Sequence, residues 1–137
     1  MRPNILFIVI DSFSANKCFG ANKTSITPNI DFLISRGTYF SQTISAASST
    51  VLSFGSIFTG LYPFESVTRE NNYFKINPRN ITYIKNLIDF GYTAYATIPK
   101  IFTFVGLEKI FERKIETYDS SKNLYNGVGE QILDSLN

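Results

Sequence analysis

At 137 residues, with 44% hydrophobic and 15% aromatic side chains, the chain has material for one core, and a single domain, or part of one, is expected over residues 1–137. A formal charge of only +2, from basic residues scattered along the chain, argues against a nucleic-acid partner, and the lack of histidine removes Ser-His-Asp and Cys-His catalysis and histidine-based metal sites within these residues. One cysteine, Cys18, leaves no internal disulfide and no thiolate zinc cluster, which makes the cytoplasm the expected location, and no stretch is long enough to span a membrane.

Residues 4–10 include Ile5-Leu6-Phe7-Ile8-Val9-Ile10, apolar at successive positions, as in a central strand covered on both faces. The run closes on Asp11 without a small-residue cleavage pattern, so it reads as a first strand and not as a signal peptide. Asp11 is thereby expected at a strand's carboxyl end, the rim where open α/β sheets bind ligands and ions. Residues 11–26 are polar and irregular and read as a loop over that rim. Thr27-Pro28 opens a helix with Ile30, Leu33 and Ile34 on one face, and Gly37 ends it. The β-branched and aromatic residues of 38–45 alternate as a second strand would. Ser48-Ser49-Thr50 then leads into Val51, Leu52, Phe54, Ile57 and Phe58, a short buried helix with Thr50 in its first turn.

Thr59-Gly60-Leu61-Tyr62-Pro63 stops that helix, and residues 65–78 read as a polar surface loop. Over 80–90, Ile81, Ile84, Leu87 and Ile88 recur at helical spacing up to Gly91, and 92–98 reads as another strand, an α-then-β unit. Residues 99–119 show no clear period, and 124–136 suit a closing helix with Leu124, Val128, Ile132 and Leu136 in one stripe. Strands alternating with helices imply an α/β fold with a parallel or mixed sheet. Asp11 and Thr50 offer a carboxylate and a hydroxyl, the parts of a metal-activated nucleophile. Each also has a plain structural role, Asp11 as a turn residue and Thr50 as a helix cap. Asn29 and Asp31 fit the helix start, Cys18 fits packing, and Lys17 fits a solvated charge.

Four segments in order carry a resemblance: Arg2-Pro3-Asn4-Ile5-Leu6-Phe7-Ile8-Val9-Ile10-Asp11-Ser12, Thr27-Pro28-Asn29-Ile30-Asp31-Phe32-Leu33, Gly37-Thr38-Tyr39-Phe40 and Thr59-Gly60-Leu61-Tyr62-Pro63. Together with Gly91-Tyr92-Thr93-Ala94 they resemble the amino-terminal part of a sulfatase, a family of the alkaline phosphatase superfamily, from residue 2 to at least 98. The resemblance implies an incomplete three-layer α/β/α sandwich with a mainly parallel sheet. It also implies a metal-dependent hydrolase or transferase of sulfate or phosphate esters, with Asp11 and Thr50 as ligands of a divalent cation (Zn, Mn, Mg or Ca) and Thr50 as nucleophile.

Formylglycine-forming relatives carry Cys/Ser-x-Pro-Ser-Arg at that place. This chain has Thr50-Val51-Leu52-Ser53-Phe54, which resembles instead the phosphodiesterase and phosphoglycerol-transferase branch, where the hydroxyl attacks directly. Two departures stand out. Ser12 replaces the family's second acid, and Phe13-Ser14-Ala15-Asn16-Lys17 replaces its Leu-Arg-Ala-Asp-His stretch. The family's Asp-His pair and later histidines fall beyond this chain's length, so the chain is expected to be inactive alone and to self-associate through an exposed sheet edge. Two alternatives remain: a non-catalytic α/β module that binds an anion or a partner, and a haloacid-dehalogenase-like phosphatase. The second wants another Asp at position 13, where Phe stands.

Overall fold

Hydrophobic spacing and helix stop signals set most of the helices, and pairing partners decide where strands form. The computed structural model describes residues 2–77, 79–80, 82–111, 114–121 and 124–134, and its contacts divide the chain into two units, residues 1–44 and 45–137.

The first unit contains α1 (Ala15–Cys18) and α2 (Pro28–Arg36). Pro28 takes the first helical position of α2, as its fixed φ favours. Thr27 makes no side-chain cap bond to the backbone. Its hydroxyl lies 3.4 Å from Asp31, whose carboxylate is ion-paired with Lys23. Asp31 thus anchors the helix start, and the negative charge suits the amide end of the helix.

The strand expected over residues 4–10 is not formed: the segment belongs to neither sheet, and its six apolar side chains from Ile5 to Ile10 are 44–69% exposed. A strand of this pattern needs neighbours on its edges and cover on both faces. Among the described residues its own unit supplies no strand and only two short helices, of which α2 buries none of its residues. The strand expected over 38–45 is also absent. Residues 41–42 form a turn, with Phe40 and Ile44 exposed on either side, because alternation alone does not make a strand where no ladder partner lies alongside.

The second unit holds α3 (Thr50–Thr59), α4 (Pro63–Ser66), β1 (Val67–Glu70), β2 (Tyr73–Ile76), α5 (Tyr83–Asp89), β3 (Tyr95–Pro99), β4 (Lys114–Tyr118) and α6 (Gly129–Asp134). The segment expected to be a surface loop is a β-hairpin instead, with β1 and β2 antiparallel and Val67 opposite Ile76. Its two-residue turn is Asn71-Asn72, both at positive φ (48° and 67°), the conformation whose twist matches the flanking strands. Asparagine tolerates it better than most residues.

Helix α5 begins with Thr82, whose hydroxyl accepts from the Lys85 amide at 3.2 Å, a cap of the expected kind. It ends where Gly91, at φ 83°, lets the Gly91 amide reach Ile88 O and the Tyr92 amide reach Leu87 O, closing two otherwise open carbonyls. The chain then enters β3, three residues later than the sequence pattern suggested. Two 3-10 helices, Lys100–Val105 and Leu107–Ile110, carry it across to β4, which pairs with β3 in parallel. A parallel neighbour requires such a crossover. The expected closing helix begins only at α6, because Asn126 and Gly127 leave helical geometry. Val128 of its stripe is buried and Ile132 half-buried. The Leu124 side chain and Leu136 lie outside the described residues.

The fold is therefore α/β, with one parallel pair and one antiparallel hairpin among the described residues. The core gathers Phe54 and Phe58 of α3 with Ile76, Ile84, Ile98, Val105, Leu107 and Ile110, and α3 packs against the hairpin and α5. Among the described residues no helix is long and apolar enough to cross a membrane.

Candidate functional site

Helix α3 is apolar over most of its length, and its buried residues, Phe54, Gly55 and Phe58, fall on one face. Burial of that face fixes the direction of the axis, and hence where its first turn lies. Ser49 precedes the helix in extended conformation (φ −118°, ψ 147°) and its carbonyl accepts the Ser53 amide at 2.9 Å. Thr50 is accordingly the first helical residue and not its cap. Ser49 makes no side-chain cap bond, and the first turn carries no acidic residue. The amides of Thr50, Val51 and Leu52 meet no acceptor from a described residue, nor does the half-buried Thr50 hydroxyl bond to one. The positive end of a ten-residue helix dipole is thus left open beside a hydroxyl, an arrangement that receives anions.

Asp11 stands in the first unit, exposed at a turn, and Ser12 after it has φ 57°. It does not sit at the end of a sheet strand, because no strand forms over 4–10. Among the described residues, no group of three or more His, Cys, Asp or Glu side chains is placed to hold a metal ion.

A cleft of about 480 Å³ lies elsewhere in the second unit. It opens between the hairpin and the 3-10 helices, with Glu70, Tyr73, Lys75, Phe104 and Lys109 along its walls, and neither Asp11 nor Thr50 lines it. In that wall the Lys75 ammonium donates to Glu70 at 2.7 Å and holds the Glu70 carboxyl below its ordinary value.

A sequence model of the Sulfatase family matches residues 3–123 of the chain. The chain belongs to the sulfatase family. Human arylsulfatase H is 40% identical over 67 residues, which is 47% of this chain and 12% of that protein. An N-acetylgalactosamine-6-O-sulfatase of Bacteroides thetaiotaomicron is 29% identical over 97 residues, 66% of this chain and 19% of that enzyme. An arylsulfatase of Clostridium perfringens is 35% identical over 63 residues, 44% of this chain and 13% of that protein. This member of the sulfatase family thus spans less than a fifth of the length of these relatives. No solved structure matches it.

One feature of the α3 terminus was not anticipated from the sequence of this sulfatase-family chain. Ser53, three residues after Thr50, sends its hydroxyl back to the Ala47 carbonyl at 3.0 Å. The only hint in the sequence is a serine kept at the place where the family's modification motif has one.

Proposed function

We propose that the chain is the nucleophile-bearing amino-terminal portion of a sulfatase-like hydrolase or transferase of sulfate or phosphate esters, and that Thr50 is the attacking group. The observation that carries this reading is the position of Thr50 at the uncapped start of α3, beside three free amides, nine residues before the Thr59-Gly60 stop that sets its register. In the step this implies, the Thr50 oxygen bonds to the sulfur or phosphorus of the ester and the ester oxygen departs with its alcohol. Water, or an acceptor alcohol, then frees Thr50. The open amides would hold the non-bridging oxygens.

Two groups are missing from the described residues for this chemistry: an acceptor for the Thr50 proton and a complete cation site. Asp11 would contribute one carboxylate to a divalent cation, with its other ligands supplied from outside these residues. The three-layer α/β/α sandwich belongs to the same reading, with β3–β4 as part of a larger sheet. The second reading is an anion-binding module without turnover, which the open amides at the start of α3 would serve equally well.

The deciding assay offers the purified chain an aryl sulfate, an aryl phosphate monoester and a phosphodiester, with and without Mn or Zn, alongside Thr50→Ala. No turnover is expected from the chain alone. Metal-dependent turnover that disappears in Thr50→Ala would show the site to be complete, and turnover that survives the substitution would remove Thr50 as nucleophile.

The same incompleteness bears on association. Strands β3 and β4 form a sheet of only two strands among the described residues, smaller than the sheet this reading implies, and a short sheet invites further strands. We expect concentration-dependent self-association, read as earlier elution and rising mass in sizing chromatography with light scattering. A sharp monomer peak at high concentration would contradict it.

A further inference from the structure

Serine inside a helix ordinarily turns its hydroxyl to the carbonyl three or four residues back. Thr59 does this within α3 itself, donating to Gly55 O at 2.7 Å. Ser53 does not: its hydroxyl passes over its own helix to the carbonyl of Ala47, six residues back and outside the helix. There it joins a triangle. Ser45 Oγ donates to the same Ala47 carbonyl at 2.7 Å and lies 3.1 Å from Ser53 Oγ, while the Ala47 amide approaches Ser45 Oγ at 3.4 Å. A carbonyl with two lone pairs can take both hydroxyl protons at once. The Ser53 amide also bonds Ser49 O at 2.9 Å. Residues 47 and 49 are therefore both fastened to residue 53, and the backbone entering Thr50 is fixed at two points.

We propose that Ser53, together with Ser45, is a positioning residue for Thr50. The clamp holds the 47–49 backbone so that the Thr50 hydroxyl and the free amides of Thr50, Val51 and Leu52 keep one arrangement toward an anionic ester. The proposal rests on the reading of Thr50 as the group that meets the ester. A plain helix-stabilising role would be met by a cap at Ser49, which makes none, or by the i−4 bond that Thr59 makes. The route to Ala47 stabilises the loop in front of the helix instead.

The test uses the full chain labelled with 15N, as wild type, Ser53→Ala and Ser53→Thr, with two measurements on each. Amide hydrogen exchange at residues 47 and 53 should rise about fivefold in Ser53→Ala, the effect of losing one ordinary hydrogen bond, with α5 amides unchanged. Titration with inorganic sulfate, followed at the amides of Thr50, Val51 and Leu52, should show binding weakened about fivefold in Ser53→Ala, while Ser53→Thr, which keeps the hydroxyl, restores both.

Unchanged exchange at 47 and 53 overturns the clamp, and so does a uniform rise throughout the unit, which would mark Ser53 as ordinary packing. Sulfate binding equal in wild type and Ser53→Ala overturns the positioning role alone. A wild type whose three amides ignore sulfate overturns the anion-receiving role of Thr50 and the positioning role with it, leaving the exchange result to judge the clamp as structure.

Discussion

Phe58→Ala is expected to lower the stability of the chain by about 4 kcal/mol, the usual cost of emptying a buried phenylalanine site. Phe58 is 4% exposed and packs within its own helix, against α5 and against Phe111. Its ring stacks on Phe54 at 5.9 Å and Tyr83 at 5.8 Å and meets the edge of Phe111 at 5.9 Å. Alanine would leave all three rings facing a void, and Phe54 and Tyr83 are held by their helices, so the site cannot close easily. Burial beside this cluster also pushes the Tyr83 phenol above its ordinary value. Urea unfolding followed by far-ultraviolet circular dichroism measures the loss. Since small domains have about 5–15 kcal/mol in all, the variant should be close to its unfolding threshold at room temperature. A midpoint within experimental error of wild type would mean that α3 is not docked as described, and the placement of Thr50 would fall with it.

The second large effect runs against intrinsic propensity. Alanine favours a helix interior over glycine by about 1 kcal/mol, so Gly55→Ala ought to stabilise α3 if space allowed. It does not. A methyl group on Gly55 would lie 2.7 Å from Ser66 Oγ and 2.7 Å from a Val67 methyl, with Ser66 Cβ at 3.3 Å. Ser66 is fully buried and bonds back to Pro63 O, and Val67 is the first residue of β1, so neither neighbour has room to retreat. We expect a net loss of about 2 kcal/mol, the overpacking cost less the propensity gain. Thermal unfolding reads the sign directly. A raised melting temperature would show that α3 and the α4–β1 segment are not in contact at this point.

Both substitutions act on the helix that carries Thr50, and that helix was also the most legible part of the sequence. Its apolar residues repeat at the right spacing and Thr59-Gly60 marks its end, so one local pattern was enough to place Thr50 in the first turn. The same holds for α2 and α5, each with a helical stripe and a glycine stop. Strands were read less well, for a physical reason: a strand is completed by its neighbour. Residues 4–10 and 38–45 have the composition of strands and no ladder to join, so the rim position inferred for Asp11 did not appear. Residues 67–76 look polar, yet Asn71-Asn72 turns them back on themselves and makes a hairpin. The clamp through Ser53 was illegible because it depends on the backbone path of residues 45–49, which no periodicity encodes.

The exposed run at Ile5-Leu6-Phe7-Ile8-Val9-Ile10 has a cost in handling as well as in architecture. Six uncharged residues of high β-propensity, with neither proline nor glycine among them, have the makeup of segments that stack into dry, interdigitated fibrils. The nearest charges, Arg2 and Asp11, flank the run as gatekeepers but leave its centre unguarded. That exposure makes residues 5–10 dependent on rapid capture, by a fitting strand or by a chaperone, before copies meet.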